Sequence, residues 1–248
     1  MSSTLKEQLD EHLKEIDFSG VVSIDRGEEP LYQGAFGYRD KPNTVANNAN
    51  TLFGIASGTK TFTAAGILKL IDAGELALST PVGKIAGAGA SYIHRDATIR
   101  QLLNHSSGIH DYYDEEVVTD FDNFKVDIPW CELETPSDYL PLFEGKKMKF
   151  PPGTRVSYSN GGYVFLGVII ERITGMKYRD YMKRQVFEPL GMESTGFYAF
   201  NDLPGNTAWG YMRAGESWVS NIYKLPVRGG GDGGLYTNAD DMRRSEEH

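Results

Sequence analysis

Cysteine is nearly absent: Cys131 is the only one, so the chain can hold no internal disulfide. A lone cysteine is ordinarily a small, buried or half-buried hydrophobe, and the acidic stretch around Cys131 works against a reactive thiolate. Long apolar runs are missing too. No stretch of about 18 apolar residues occurs, and the opening MSSTLKEQLDEHLKEIDFSG lacks the apolar centre of a secretory signal. No membrane span is therefore expected. As written the sequence reads as cytoplasmic, and a chain trimmed of an export signal would read the same way. Basic residues are in deficit, with 25 Lys and Arg against 34 Asp and Glu and a net charge of −9. This argues against a nucleic-acid partner, whose phosphates call for clustered cations. There is no internal repeat and no low-complexity linker. The 248 residues, 40% of them hydrophobic, suffice for one large domain with a substantial core.

The apolar spacing of Leu5, Leu9, Leu13 and Ile16 predicts a surface helix over 4–16, packed by that stripe. Strand-like runs follow at Gly20 to Asp25 and Pro30 to Gly37, joined by the turn-prone Asp25-Arg26-Gly27-Glu28-Glu29. A second helix is expected from Ser57 to Ala73, with Phe62, Ala65, Leu68 and Ile71 on its inner face and Gly74 as its stop. A short helix at Thr98 to Leu103 and an irregular, acidic, aromatic stretch over 110–150 come next. Further helices are read at Tyr163 to Thr174 and Lys177 to Val186, and one opens at Asn238.

Chemistry gathers first at Ser57-Gly58-Thr59-Lys60. A serine hydroxyl is a weak nucleophile until a base takes its proton, and residues three apart on a helix share a face. The helix N-terminus adds free N–H groups and partial positive charge. Taken alone, the pattern fits an N-cap serine beside a solvated lysine better. Tyr158-Ser159-Asn160, ahead of the apolar helix, adds a phenol able to carry a proton and an amide able to hold both lysine and substrate. Its plainer reading is that Asn160 caps the helix and Tyr158 packs in the core.

Together these segments resemble the serine β-lactamase-related hydrolases and penicillin-binding proteins, nearest to the branch of class C β-lactamases, D-alanyl-D-alanine carboxypeptidases and esterases. The likeness runs from about Phe18 to Met242. Phe53 to Lys60 resembles the nucleophile motif, and Leu102-Leu103-Asn104-His105-Ser106-Ser107-Gly108 the family's Leu-Leu-x-His-x-Ser-Gly turn. Pro152-Gly153-Thr154 through Tyr158-Ser159-Asn160 to Glu171 resembles the second motif and its helix. Glu188-Pro189-Leu190-Gly191-Met192 and Gly233 to Met242 match two further signatures. The resemblance implies an α+β fold: an antiparallel sheet flanked by helices, with a mostly helical lobe at about 77–211 inside one domain spanning 1–248. It also implies an acyl-enzyme route, with Ser57 as nucleophile, Lys60 and Tyr158 moving its proton, and Asn160 binding substrate. The Ser57 N–H would form half of the oxyanion hole. The reaction would use no metal and no cofactor, and its partner would be a small-molecule or peptide substrate carrying an ester, β-lactam or D-amino-acid amide bond.

The family's third motif, Lys-Thr-Gly or His-x-Gly, does not follow Met242, and Arg228-Gly229-Gly230-Gly231 is no substitute for it. The C-terminal strands of the sheet are thus expected to be missing, which would leave apolar faces open and favour self-association. The same absence keeps a second reading in view, a non-catalytic or merely acylated binding protein. His105, His110, Asp111 and Asp114 fit no strong zinc spacing. His12 and His94 read as surface residues. Ten acids lie between Asp111 and Asp138, interleaved with Tyr112, Tyr113, Phe121, Phe124 and Trp130. A solvated loop pinned by aromatics is the plainer expectation. The functional one is a lid whose negative charge disfavours anionic substrates and suits neutral esters or amides.

Overall fold

The structure, a computed structural model, describes residues 4–27, 29–86, 93–121 and 123–246; Glu28 of the first turn and Asp122 of the acidic stretch lie outside them. Helix α1 (Leu5–Glu15) opens with a reciprocal cap, the Thr4 hydroxyl accepting from the Glu7 N–H while Glu7 accepts from the Thr4 N–H. Of its apolar stripe only Leu13 is buried. Leu5 and Ile16 are exposed, because the helix meets β2 near its middle, where the Tyr32 hydroxyl donates to Asp10 at 2.7 Å. Strands β1 (Gly20–Arg26) and β2 (Glu29–Phe36) form the expected antiparallel hairpin, with a bulge at Ile24/Asp25.

Short strands β3 (Tyr38–Asp40) and β4 (Val45–Ala46) pair next, and β5 (Phe53–Gly54) leads into a 3-10 turn at Ala56–Gly58 and helix α2 (Thr59–Asp72). Gly74, at φ 76°, ends this helix. Its inner face differs from the expected one. Phe62, Thr63, Gly66, Ile67 and Leu70 are buried, whereas Leu68 is 47% exposed. The reason is close helix packing: a methyl at Gly66 would lie 2.9 Å from the Met182 sulfur, so the small residues mark where the neighbouring helix approaches.

Helices α3 (Gly83–Ala86), α4 (Ile99–Leu103), α5 (Asn160–Thr174) and α6 (Tyr178–Met182) follow, the last running on as a π-helical turn to Phe187. Helix α5 is the axis of the core. Every residue from Asn160 to Ile170 is buried, and α2, α4, α6 and the 3-10 stretch Pro136–Phe143 surround it. Each large side chain it buries, such as Phe165 or Ile169, contributes about 1.5–3 kcal/mol of transfer free energy. Strands β6 (Tyr211–Ala214) and β7 (Ser217–Ser220) form a hairpin that sequence periodicity did not indicate. Strand β8 (Tyr236–Thr237) returns to pair antiparallel with β5, and α7 (Ala239–Glu246) follows, its N-terminus capped by Asn238. Among the described residues the antiparallel sheet is thus a set of two-stranded pieces, β1–β2, β3–β4, β5–β8 and β6–β7. Cys131, expected to be at least half-buried, is exposed in a 3-10 turn at Trp130–Glu132.

The turn after α4 carries the segment that leads into α5. Lys149, Gly153 and Ser157 donate their N–H groups to the carbonyls of Gly108, Ser106 and His105 at 2.7, 2.8 and 3.0 Å. Gly108 is required there: its φ is 70°, and a Cβ would fall 2.0 Å from the Phe150 carbonyl oxygen.

Candidate active site

Ser57 lies in the 3-10 turn immediately before α2, exposed to solvent on the wall of a cavity of about 490 Å³. The residue ahead of it, Ala56, has φ 46°, a left-handed conformation uncommon for a residue with a side chain. Hydrogen bonds hold this bend. The Thr59 hydroxyl donates to the Ala56 carbonyl at 2.7 Å and accepts the Leu235 N–H at 3.0 Å, while the Ile55 N–H donates to the Leu235 carbonyl.

One turn along, Lys60 is only 6% exposed. Its Nζ donates to Ser57 Oγ at 3.0 Å, to Asn160 Oδ1 at 2.8 Å and to the Asp232 carbonyl at 2.5 Å. An ammonium has three N–H donors, so all three are satisfied, as burial of such a group demands. The solvated lysine considered from sequence is replaced by a buried one.

Asn160 is free to face Lys60 because it does not cap α5. Ser159 does so, its hydroxyl accepting the Gly162 N–H at 3.0 Å. Asn160 sits in the first turn, its Nδ2 donating to the Tyr113 carbonyl at 2.9 Å. Beneath it, the Asp111 carboxylate accepts the N–H groups of Asn160 and Gly161 at 2.7 and 3.0 Å and that of Tyr113 at 3.2 Å. Burial pushes this carboxyl up to about 6 against the pull of those three donors.

Tyr158 meets the lysine by its ring rather than its hydroxyl, with Nζ 4.9 Å from the ring centroid. It is half-buried rather than in the core, and its ring lies against that of His105, centroids 4.7 Å apart. Burial and the Lys60 charge hold the His105 imidazole below its usual pKa. His110 is lowered as well, first by burial. Asp114 pairs with Lys149 at 2.8 Å.

The glycine loop that sequence reasoning set aside is part of the same assembly. Thr63 Oγ1 donates to the Gly231 carbonyl at 2.6 Å, and the next carbonyl, that of Asp232, is the third acceptor for Lys60. The Asp232 carboxylate accepts from the Tyr112 hydroxyl at 2.5 Å, and burial raises the pKa of both groups. The only hint in the sequence was one acid inside a run of glycines.

The cavity beside Ser57 is walled largely by aromatic rings. Tyr112, Tyr113, Phe121, Phe124, Trp130 and Tyr139 all come from the acidic stretch, whereas Glu115 is the one acid of that stretch to line the cavity among the described residues. The stretch therefore does stand over the nucleophile's mouth, but it turns rings inward.

Over residues 5–246 the sequence matches a family model described as Beta-lactamase. A penicillin-binding protein of Bacillus subtilis (strain 168) is 36% identical over 84% of this chain and 44% of its own. Among solved structures, a penicillin-binding protein from Bacillus halodurans superposes with a TM-score of 0.90 at 39% identity, covering 96% of this chain and 72% of that one. The octameric penicillin-binding protein homologue from Pyrococcus abyssi gives 0.80 at 30% identity, covering 97% and 54%. This chain spans about half the length of the curated relatives it matches. The α+β architecture is that of the β-lactamase and transpeptidase fold, and the chain belongs to the β-lactamase family.

Proposed function

We propose that the chain is a serine hydrolase that works through an acyl-enzyme on Ser57. The observation that carries this reading is the threefold bonding of Lys60 Nζ to Ser57, Asn160 and Asp232. In a neutral lysine two N–H groups remain. With these directed at the two carbonyl acceptors, Asn160 Oδ1 and Asp232 O, the lone pair is left facing the serine hydroxyl. Ser57 Oγ then bonds to the substrate carbonyl carbon as its proton passes to Lys60. The bond to the leaving group breaks as Tyr158 or Lys60 delivers a proton to it. Water reverses the exchange, releasing the acid and restoring Ser57.

The substrates that fit are neutral esters or amides with a bulky apolar or aromatic acyl group. The six rings of the 112–139 stretch offer apolar contact, and the stretch behind them is acidic. A clear preference for penicillins over neutral esters would overturn that substrate class. The octameric Pyrococcus abyssi homologue makes self-association the expected state here too. Sedimentation equilibrium checks this, and a monomer at micromolar concentration would refute it.

The test of the function is intact mass after incubation with a fluorophosphonate and, separately, with a fluorescent penicillin, beside Ser57→Ala. One adduct that vanishes in the variant is expected. No adduct from folded protein would sink the reading, and an acyl adduct from a simple ester substrate that is never released would convert the enzyme into an acylated binding protein.

A further inference from the structure

His105 belongs to a turn whose part in the chemistry the mechanism above leaves open. It follows α4 by two residues, with a left-handed backbone at φ 61°. Histidine tolerates this conformation better than most side chains, but it still costs about 1 kcal/mol and persists only where the surroundings fix it. From this position His105 meets the segment ahead of α5 at three points. Its carbonyl accepts the Ser157 N–H at 3.0 Å, and its Nδ1 accepts the Ser159 N–H at 3.1 Å. Its ring packs on that of Tyr158 at 4.7 Å. The two amides flanking Tyr158 therefore end on a single residue, which also supports the phenol. The side chains on either side are held elsewhere, Ser157 Oγ accepting from Lys149 at 2.8 Å and Ser159 Oγ from the Gly162 N–H at 3.0 Å. Val156 is 70% exposed, so His105 is the residue that takes both backbone N–H groups and the ring.

We propose that His105 is a positioning residue for Tyr158, fixing the phenol beside Lys60 by bracketing its two neighbouring amides. This rests on the acyl-transfer reading, in which Tyr158 carries a proton. The bracket requires a neutral imidazole with its proton on Nε2, because Nδ1 must accept. Burial, and then the charge of Lys60, favour that neutral form. The charged or titratable groups facing the ring are Lys60, Tyr158 and Tyr163, the last with its centroid 5.2 Å away. Protonation would set an Nδ1–H against the Ser159 N–H and open the bracket.

The test is the rate of Ser57 labelling by a fluorophosphonate in the intact chain, for Tyr158→Phe, His105→Phe, His105→Asn and the double variant of the first two. Phenylalanine keeps a ring but loses the acceptor; asparagine accepts a left-handed backbone and offers an oxygen close to where Nδ1 stands. His105→Phe should slow labelling about tenfold or more, with no further loss when Tyr158→Phe is added, while His105→Asn stays within about threefold of the parent. Additive losses in the double variant would overturn the proposal, as would parental labelling by His105→Phe or equal damage from both substitutions. Should His105→Phe fail to fold by circular dichroism, the pH dependence decides. The parent loses labelling in acid as the imidazole charges, and His105→Asn keeps it to lower pH; coincident profiles refute the bracket. A parent that takes no Ser57-dependent label refutes the hydrolase reading and this inference together, whereas labelling with additive losses refutes the bracket alone.

Discussion

At the scale of the residue, Asp111 joins fold and site most directly. Its carboxylate sits under the start of α5 with three N–H donors on it, and one of them belongs to Asn160, which holds Lys60. Burial outweighs those donors and lifts its pKa from 3.8 to about 6. Because the folded value lies above the unfolded one, the stability this group contributes is fully present below about pH 4 and is lost as pH rises through about 6. A shift of this size corresponds to roughly 2–3 kcal/mol, and at 2% exposure solvent screens little of it. Asp111→Asn does not titrate. The stability of the parent relative to this variant should therefore fall by that order between pH 4 and pH 7. Urea unfolding at the two pH values measures it, and a constant difference would show that the donors, not burial, control the carboxyl.

At the scale of the element, the site forms where the first turns of α2 and α5 meet the loop before β8. Gly231 marks how closely these pack: a Cβ there would lie 2.3 Å from the Tyr163 carbonyl oxygen of α5. Its own carbonyl accepts from Thr63 on α2, and the carbonyl after it accepts from Lys60. Gly231→Ala must push the loop away from α5 and draw the Asp232 carbonyl off Lys60. A loss of about 1–3 kcal/mol in stability is expected. Ser57 labelling should fall further than the small folded-fraction change allows. Chemical denaturation and labelling on the same sample separate the two, and unchanged labelling would remove the loop from the mechanism.

The same elements explain what the sequence revealed. Helix α5 was legible from the apolar run after Tyr163, but its start was read three residues late, because Asn160-Gly161-Gly162 looks like a breaker until Asp111 and Ser159 are seen to cap it. Helix α2 was legible in extent, not in orientation, since Thr63 and Gly66 are buried by a neighbour that periodicity does not register. The two-residue pairing of β5 with β8 is too short to carry any period. Ser57, Lys60 and Asn160, singled out from their motifs, lie within hydrogen-bond distance of one another through Lys60. Asp232 escaped notice because its part is played by a main-chain carbonyl, and a carbonyl leaves no mark on residue identity.

At the scale of the whole molecule, two influences on the substrate act over different ranges. The net charge of −9 sets a negative field over the protein, which salt screens beyond about 10 Å at 0.1 M. The rings of Tyr112, Tyr113, Phe121, Phe124, Trp130 and Tyr139 act only on contact, and salt barely touches them. A substrate pair differing in charge alone tells these apart. For 4-nitrophenyl esters with a neutral or a carboxylate-bearing acyl chain of equal length, the neutral ester should have the higher kcat/KM at low salt. Raising salt from about 20 to about 300 mM should narrow that ratio severalfold by rescuing the anionic ester, while the neutral one changes little. A ratio that stays fixed would place the discrimination in the cavity wall itself, which Glu115 lines, too close to a bound acyl group for salt to screen. An anionic ester favoured at every ionic strength would show that Lys224, which also lines the cavity, dominates its charge, and the proposed substrate class would have to be reversed.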